Sequence, residues 1–297
     1  MKQYRWVQDN FSRQGKRLRA EFDRRFADPK AVRSDRFVWD FWNVPGQYTL
    51  VRTPADYFFP KAVYSAFLRE LGDWASRNLG CHTITPPWLS YYVEGCEQRL
   101  HSDVPHGPWA FVYSLSPARP KFKGGETLLL RPQVLDYWRN FSDAEDREFS
   151  SFAETIAPRF NRLVVFDPRL PHGVTPVSGT MDPREARLVL HGWFTDPKPV
   201  LSGGLSARQA APVLDEAVAG IQGALELEGT WHGILSVRIS VSKAGNVRNC
   251  KLLADTLVRV DGGLSRNVGA MVLRKLKGLR FAKTKAPTEI TLPLLFR

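Results

Sequence analysis

Cysteine is scarce in this chain, with three in 297 residues, Cys81, Cys96 and Cys250. An odd, widely spaced set makes neither a disulfide framework nor a zinc pattern, and it suits a reducing compartment. No run of eighteen apolar residues occurs, which excludes a membrane-spanning helix. The first residues, Met1-Lys-Gln-Tyr-Arg-Trp6, lack the apolar stretch of a secretory signal; a cytoplasmic location is expected. Acidic residues are also in short supply, 30 against 42 basic, for a net charge of +12. The excess concentrates between Lys198 and Arg297, where fifteen basic and seven acidic residues leave +8. Arg274, Lys275, Lys277, Arg280, Lys283 and Lys285 cluster there. Such a cluster can meet an anionic partner, but a solvated helix face is the commoner outcome. What the chain does have is 43% hydrophobic residues, enough to bury one large core or two smaller ones.

Histidine is sparse as well, with six residues, and two of them stand in suggestive company. His101-Ser102-Asp103 forms an H-x-D triplet, and His172 follows an apolar run, Leu163 to Phe166. Side chains alternate with period two along a strand, so His101 and Asp103 fall on one face. Two imidazoles and one carboxylate suit a single divalent iron and leave coordination positions open. Alone, the triplet is weak, since it arises by chance in many chains. Arg187 opens a strand-like alternation, Arg187, Val189, His191, Trp193, and a guanidinium is the better partner for a planar carboxylate.

The flanking residues resemble the prolyl 4-hydroxylase-like group of 2-oxoglutarate- and Fe(II)-dependent dioxygenases. The matching segments run in order from about residue 85 to 195. They are Tyr92-Val-Glu-Gly95 before His101-Ser-Asp103; Phe111-Val-Tyr113-Ser-Leu115; Gly124-Gly-Glu-Thr-Leu128; Leu163-Val-Val-Phe-Asp167 leading to His172; and Arg187-Leu-Val-Leu-His-Gly-Trp-Phe194. The resemblance implies a mainly β fold with flanking helices, built on a double-stranded β-helix (jelly-roll) core. It implies iron held by His101, Asp103 and His172, with Arg187 on the distal carboxylate of 2-oxoglutarate and Tyr113 or Tyr92 assisting. Relatives that halogenate lack the carboxylate at Asp103, so its presence favours hydroxylation. Fe(II), 2-oxoglutarate and O2 are the implied cofactor and co-substrates, with ascorbate a further candidate. His191, Trp193 and His106 are candidates for contacts with the metal ligands from behind or with the substrate.

The pattern departs from the family in two places. The stretch from His172 to Arg187 is longer than usual, because a turn-rich insertion, Ser178 to Arg184, intervenes; this leaves Arg184 as an alternative to Arg187. His191 stands where the family has threonine. Trp193 stands where nucleic-acid demethylases of the superfamily carry a second arginine, which disfavours nucleic acid as substrate. Each residue also has a plainer role. His101 and Asp103 would serve as a surface turn, His106 as a loop residue, Arg187 as a solvated charge and the tyrosines as packing. Trp109, Trp138 and Trp193 are expected in core or pocket wall.

Three segments follow: an oxygenase domain over 1–197 with N-terminal helices, a linker and helix over 198–229, and a small α/β domain over 230–297. Residues Arg13 to Arg25 read as an exposed amphipathic helix. Ser206 is the expected cap of a helix from Ala207 to Leu227 with Val213, Val218, Ile221 and Leu225 as its stripe. A hairpin over Ile234–Val241 and Val247–Leu253, a helix through Val268 to Leu279 and a strand over Glu289–Phe296 complete the tail. The tail resembles the TonB C-terminal-like domain of the AgmX and PglI type, through Val237-Arg-Ile-Ser-Val241 to Val247, Leu279-Arg-Phe281 and Thr291-Leu-Pro-Leu-Leu-Phe296. That implies a small module with a sheet edge able to dock a peptide, or else a buttress. The overall expectation is a hydroxylase of an amino-acid residue in a peptide or protein. The alternatives are a small-molecule or free-amino-acid hydroxylase, a cupin-like metal protein without oxidative activity, and a non-catalytic protein binding through its tail.

Overall fold

The computed structural model describes residues 3–28, 39–132, 152–261 and 267–296; Trp138 lies outside them. The chain divides into two compact units. One is Arg5–Glu70 with Ile84–Phe194, and the other is Met1–Tyr4 with Leu71–Thr83 and Thr195–Arg297.

The first sheet is made of antiparallel strands β1 (Arg5–Gln8), β2 (Asp40–Val44), β3 (Tyr48–Pro54), β4 (Cys81–Ile84), β5 (Trp88–Tyr92), β6 (Glu97–His101), β7 (Trp109–Ser114), β8 (Thr127–Leu130), β9 (Ala153–Ile156), β10 (Arg162–Phe166), β11 (His172–Val174) and β12 (Arg187–Pro197); all lie in the first unit except β4 up to Thr83 and β12 from Thr195. Their order is β1-β10-β7-β12-β5-β3-β6-β11-β8-β9, with β2 paired to β3 and β4 to β12. Strand β3 joins the two halves. Its Val51–Pro54 segment pairs with β5, while Tyr48 and Thr49 pair with β6. This is a jelly-roll core. Leu163, Val164, Val165 and Phe166 of β10 are all buried, as expected of a strand enclosed between neighbours.

Helices α1 (Gly15–Phe26), α2 (Ala55–Phe58) and α3 (Lys61–Leu79) flank the strands. The expectation of an exposed first helix holds for one face only. Lys16 and Arg17 are exposed, but Leu18 and Phe22 are fully buried. Phe22 stacks on Phe26 at 4.7 Å and meets Phe58 and Tyr91. An amphipathic period carries an apolar stripe along with the basic one, and burial of that stripe anchors the helix.

In the second unit, β13 (Val200–Gly203), β14 (Trp231–Val241), β15 (Val247–Asp255), β16 (Val258–Arg259) and β17 (Thr288–Phe296) form a sheet ordered β13-β17-β14-β15, with β16 on β14. Helices α4 (Ala207–Glu226) and α5 (Val268–Lys277) pack their apolar faces into its core. Ser206 caps α4 in a capping box with Gln209. The expected stripe of α4 does pack on the core, Ile221 and Leu225 fully buried and Val213 and Val218 in part, joined by Ala210 and Leu214. One expectation is corrected. The segment read as linker is in part an edge strand, since Val200–Gly203 pairs with Thr291–Thr288 of β17. The unit also takes in the end of α3: Ser236 Oγ donates to the carbonyl of Leu79 at 2.8 Å, and Thr291 Oγ1 to that of Arg77 at 3.0 Å.

Candidate metal centre and co-substrate pocket

His101 ends β6 and His172 begins β11, and antiparallel pairing sets them directly opposite each other. Their ring centroids lie 4.4 Å apart. Asp103 follows the strand end, held by its backbone N–H on the carbonyl of Pro168 at 2.9 Å. One ligand atom from each of His101, Asp103 and His172 falls within 4.8 Å of the others; Asp103 Oδ2 is 3.4 Å from His172 Nε2.

The two rings are oriented alike. His101 Nδ1 is 2.8 Å from the carbonyl of Arg99, and His172 Nδ1 is 2.9 Å from that of Leu170. A carbonyl can only accept, so each Nδ1 carries the proton and each Nε2 offers a lone pair to the shared point. Gln98 Nε2 lies 3.2 Å from His101 Nε2. Burial, then the neighbouring His172, pushes the His101 pKa down. Burial alone would raise that of Asp103, but His172 and the other histidines bring it below the usual carboxylate value. Neutral imidazole and ionised carboxylate are the forms that bind a metal.

These residues line a cavity of about 820 Å³. Arg187 lies on its wall, 1% exposed. Its Nε donates to the carbonyl of Gly125 at 2.7 Å and its Nη2 to Thr127 Oγ1 at 3.4 Å. The guanidinium lies over the Tyr92 ring at 4.5 Å. Its Nη1 is buried and has no hydrogen-bond partner among the described residues. A buried cation without a counter-ion is costly, and the orphaned donor fits an incoming carboxylate. Gly125 makes room for this arrangement: its φ is +72°, and a Cβ there would sit 2.9 Å from Arg187 Cδ. Arg184, by contrast, is paired at the surface with Asp182 at 3.2 Å.

The alternation Arg187, Val189, His191, Trp193 lines the cavity throughout. His191 Nε2 lies 2.8 Å from Ser90 Oγ, and burial followed by Arg187 and Arg52 pushes its pKa down to about 3. Trp193 stacks on His106 at 4.3 Å. Tyr92 also faces the cavity, its hydroxyl 3.5 Å from Gln98 Oε1. Tyr113 does not. Its hydroxyl donates to Asn161 Oδ1 at 2.7 Å, and its ring packs on Phe67 at 4.7 Å. The neighbouring Val112 lines the cavity instead, so Tyr113 is a core residue on the other face of β7. Trp109 is likewise fully buried against Trp6.

Arg52, Trp42 and Trp88 are cavity residues that the motifs do not include. Their signal was period two: Tyr48, Leu50, Arg52 and Pro54 all face the cavity along β3.

Residues 87–195 match the model of the 2OG-Fe(II) oxygenase superfamily. No curated protein matches the chain. Among solved structures, a prolyl-4-hydroxylase of Pseudomonas putida is 19% identical with a TM-score of 0.47, covering 65% of this chain and 92% of that one. AviO1 of Streptomyces viridochromogenes is 19% identical at 0.46, over 66% and 91%. A Trichoplax adhaerens prolyl hydroxylase, in complex with a hypoxia-inducible-factor degradation-domain peptide, is 16% identical at 0.44, over 65% and 84%. The family match ends at Thr195, and the likeness of the tail to TonB C-terminal domains finds no support. Residues 87–195 are thus a 2OG-Fe(II) oxygenase domain, and the chain is a dioxygenase that uses Fe(II), 2-oxoglutarate and O2.

Proposed function

We propose that the enzyme hydroxylates an unactivated C–H bond, with an amino-acid residue of a peptide or protein as the substrate. His101, Asp103 and His172 would hold Fe(II) through two imidazole nitrogens and a carboxylate oxygen, a donor set that suits this ion and leaves positions open. Bound there, Fe(II) supplies the oxidative decarboxylation of 2-oxoglutarate to succinate and CO2, coupled to transfer of one oxygen atom to the substrate. The observation that carries the reading is the company kept by the ligand cluster. A buried guanidinium with an unbonded Nη1 lines the same cavity.

The rest is done by side chains of this chain. Arg187, fixed by Gly125 and Thr127, would take the distal carboxylate of 2-oxoglutarate, with Tyr92 against its guanidinium. The carbonyls of Arg99 and Leu170 keep both histidines in the tautomer that binds metal. His191, neutral and tied to Ser90, adds no charge beside Arg187. His106 and Trp193 form a stacked wall for substrate. The cavity exceeds the needs of a five-carbon diacid and lies in the range of sites for larger ligands. That leaves room for a residue side chain or for a small molecule, the second reading.

No helix among the described residues is long and apolar enough to cross a membrane. Peptide docking on the tail sheet is the weaker part of the proposal. Strand β15 ends the sheet path, and its exposed Arg248 and Lys251 put charge along that edge, a pattern that discourages strand addition.

The test is release of succinate from 2-oxoglutarate that requires both Fe(II) and O2, with a mass gain of one oxygen in candidate peptides. His172→Ala should lose Fe(II) binding and succinate release together. Turnover retained in that variant would reject the triad, and succinate release without any peptide gaining oxygen would shift the reading to a small molecule.

A further inference from the structure

The pocket holds a second cation that the co-substrate does not explain. Arg52 on β3 lies between two indoles, its guanidinium carbon 3.2 Å from the ring centroid of Trp42 and 4.0 Å from that of Trp88. Its Nε is buried and has no hydrogen-bond partner among the described residues. Asp40 stands opposite it across β2 and β3, and Ser90 across β3 and β5. Asp40 contributes a stabilising field but forms no ion pair with it among the described residues. Arg52 lines the same cavity as His101, His172 and Arg187.

We infer that Arg52 binds a carboxylate of the primary substrate, so that the enzyme acts on an acidic substrate while Arg187 holds 2-oxoglutarate. This rests on the oxygenase reading and narrows its substrate class. Three features carry it. Desolvation destabilises a guanidinium, and two indole faces offset that only in part; an anion completes the site. With both faces stacked, only the edge of the fork remains for hydrogen bonds. A planar carboxylate lies in the plane of that fork and pairs with it bidentately. The tetrahedral oxygens of a phosphate would instead project toward Trp42 and Trp88. Finally, Arg187 is anchored on Gly125 and Thr127 and has its own unbonded Nη1 for the distal carboxylate of 2-oxoglutarate, which leaves Arg52 as a further cation of the cavity for another anion.

The carboxylate has two sources, a free acid such as an amino acid, or an acidic side chain of a polypeptide. The test measures binding, without oxygen, to the full-length protein loaded with Mn(II) and saturating 2-oxoglutarate. Thermal shift and tryptophan fluorescence report it. The probes are matched pairs: free and N-acetylated amino acids against their primary amides, and capped peptides carrying Glu against the same peptides carrying Gln. At least one acid should bind about tenfold or more tightly than its amide, the scale of a desolvated charge-assisted pair. Preference confined to the free acids assigns a small molecule, and preference for the Glu peptide assigns a polypeptide. Arg52→Gln should erase the preference and leave 2-oxoglutarate affinity within about twofold, as independent sites do. If Arg52→Gln does not fold, Arg52→Lys replaces it and should keep only part of the preference, since it retains charge without the fork. Equal binding of every acid and amide overturns the proposal, as does a preference that survives Arg52→Gln undiminished. Loss of 2-oxoglutarate rather than of the acid in that variant makes Arg52 the co-substrate anchor and also overturns it. Failure of the wild-type protein to bind 2-oxoglutarate would instead strike the oxygenase reading beneath it.

Discussion

At the scale of single residues, the two side chains expected to touch 2-oxoglutarate separate by their surroundings. Arg187 is buried with a donor to spare, whereas the Tyr113 hydroxyl is spent on Asn161. Arg187→Ala should therefore weaken 2-oxoglutarate binding by roughly 30-fold or more, the effect of removing one partner of a buried charge pair, with metal binding nearly intact. Tyr113→Phe should lower stability by about 1 kcal/mol and leave co-substrate affinity unchanged; calorimetric titration and denaturant unfolding of the two variants read both effects. His191 adds a pH dependence. Its ring takes a proton near 6.5 when unfolded but only at about 3 when folded. Between those values the unfolded chain binds more protons, so stability falls as pH drops below 6.5 and is fully present above it. Melting curves of His191→Asn should show a shallower acid slope than those of the wild type, and an identical slope would mean that the ring is not held neutral.

At the scale of elements, strand pairing converts sequence distance into contact. His101 and His172 are neighbours only because β6 and β11 are antiparallel partners in that register. A slip of one residue would send either ring to the opposite face. Helix ends act more locally. Ser206 and Gln209 bond reciprocally across the first turn of α4, and Ser206→Ala should cost about 1 kcal/mol, read as a shift of the denaturation midpoint. The cap at Ser206 was legible in the sequence because it stands directly before the helix it starts, whereas its reciprocal bond with Gln209 is seen in the structure. The edge strand Val200–Gly203 was not, since its proline and glycines read as turn chemistry while the pairing with Thr288–Thr291 depends on residues almost ninety positions away.

At the scale of the whole molecule, the tail is more than an appendage. Its compact unit includes Leu71–Thr83, with Leu71 and Leu79 fully buried and the carbonyls of Arg77 and Leu79 bonded by Thr291 and Ser236. A chain ending at Pro197 would leave the end of α3 without those partners. It should melt at a lower temperature and lose hydrogen-exchange protection over residues 71–83. Unchanged protection there would make the tail a separable docking module after all.

The sequence by itself determined the chemistry. Candidate metal ligands and a guanidinium for a carboxylate are matters of residue type, and the motifs that resemble the dioxygenase family brought the jelly roll with them; these survive in one dimension, as do the helices and hairpin of the tail. The tertiary structure decided which way each candidate faces. It put Arg187 rather than Arg184 in the pocket, turned Tyr113 into the core and brought Arg52 between Trp42 and Trp88. Those outcomes depend on strand register and on which neighbours close over a side chain, and both are set by contacts between residues far apart along the chain.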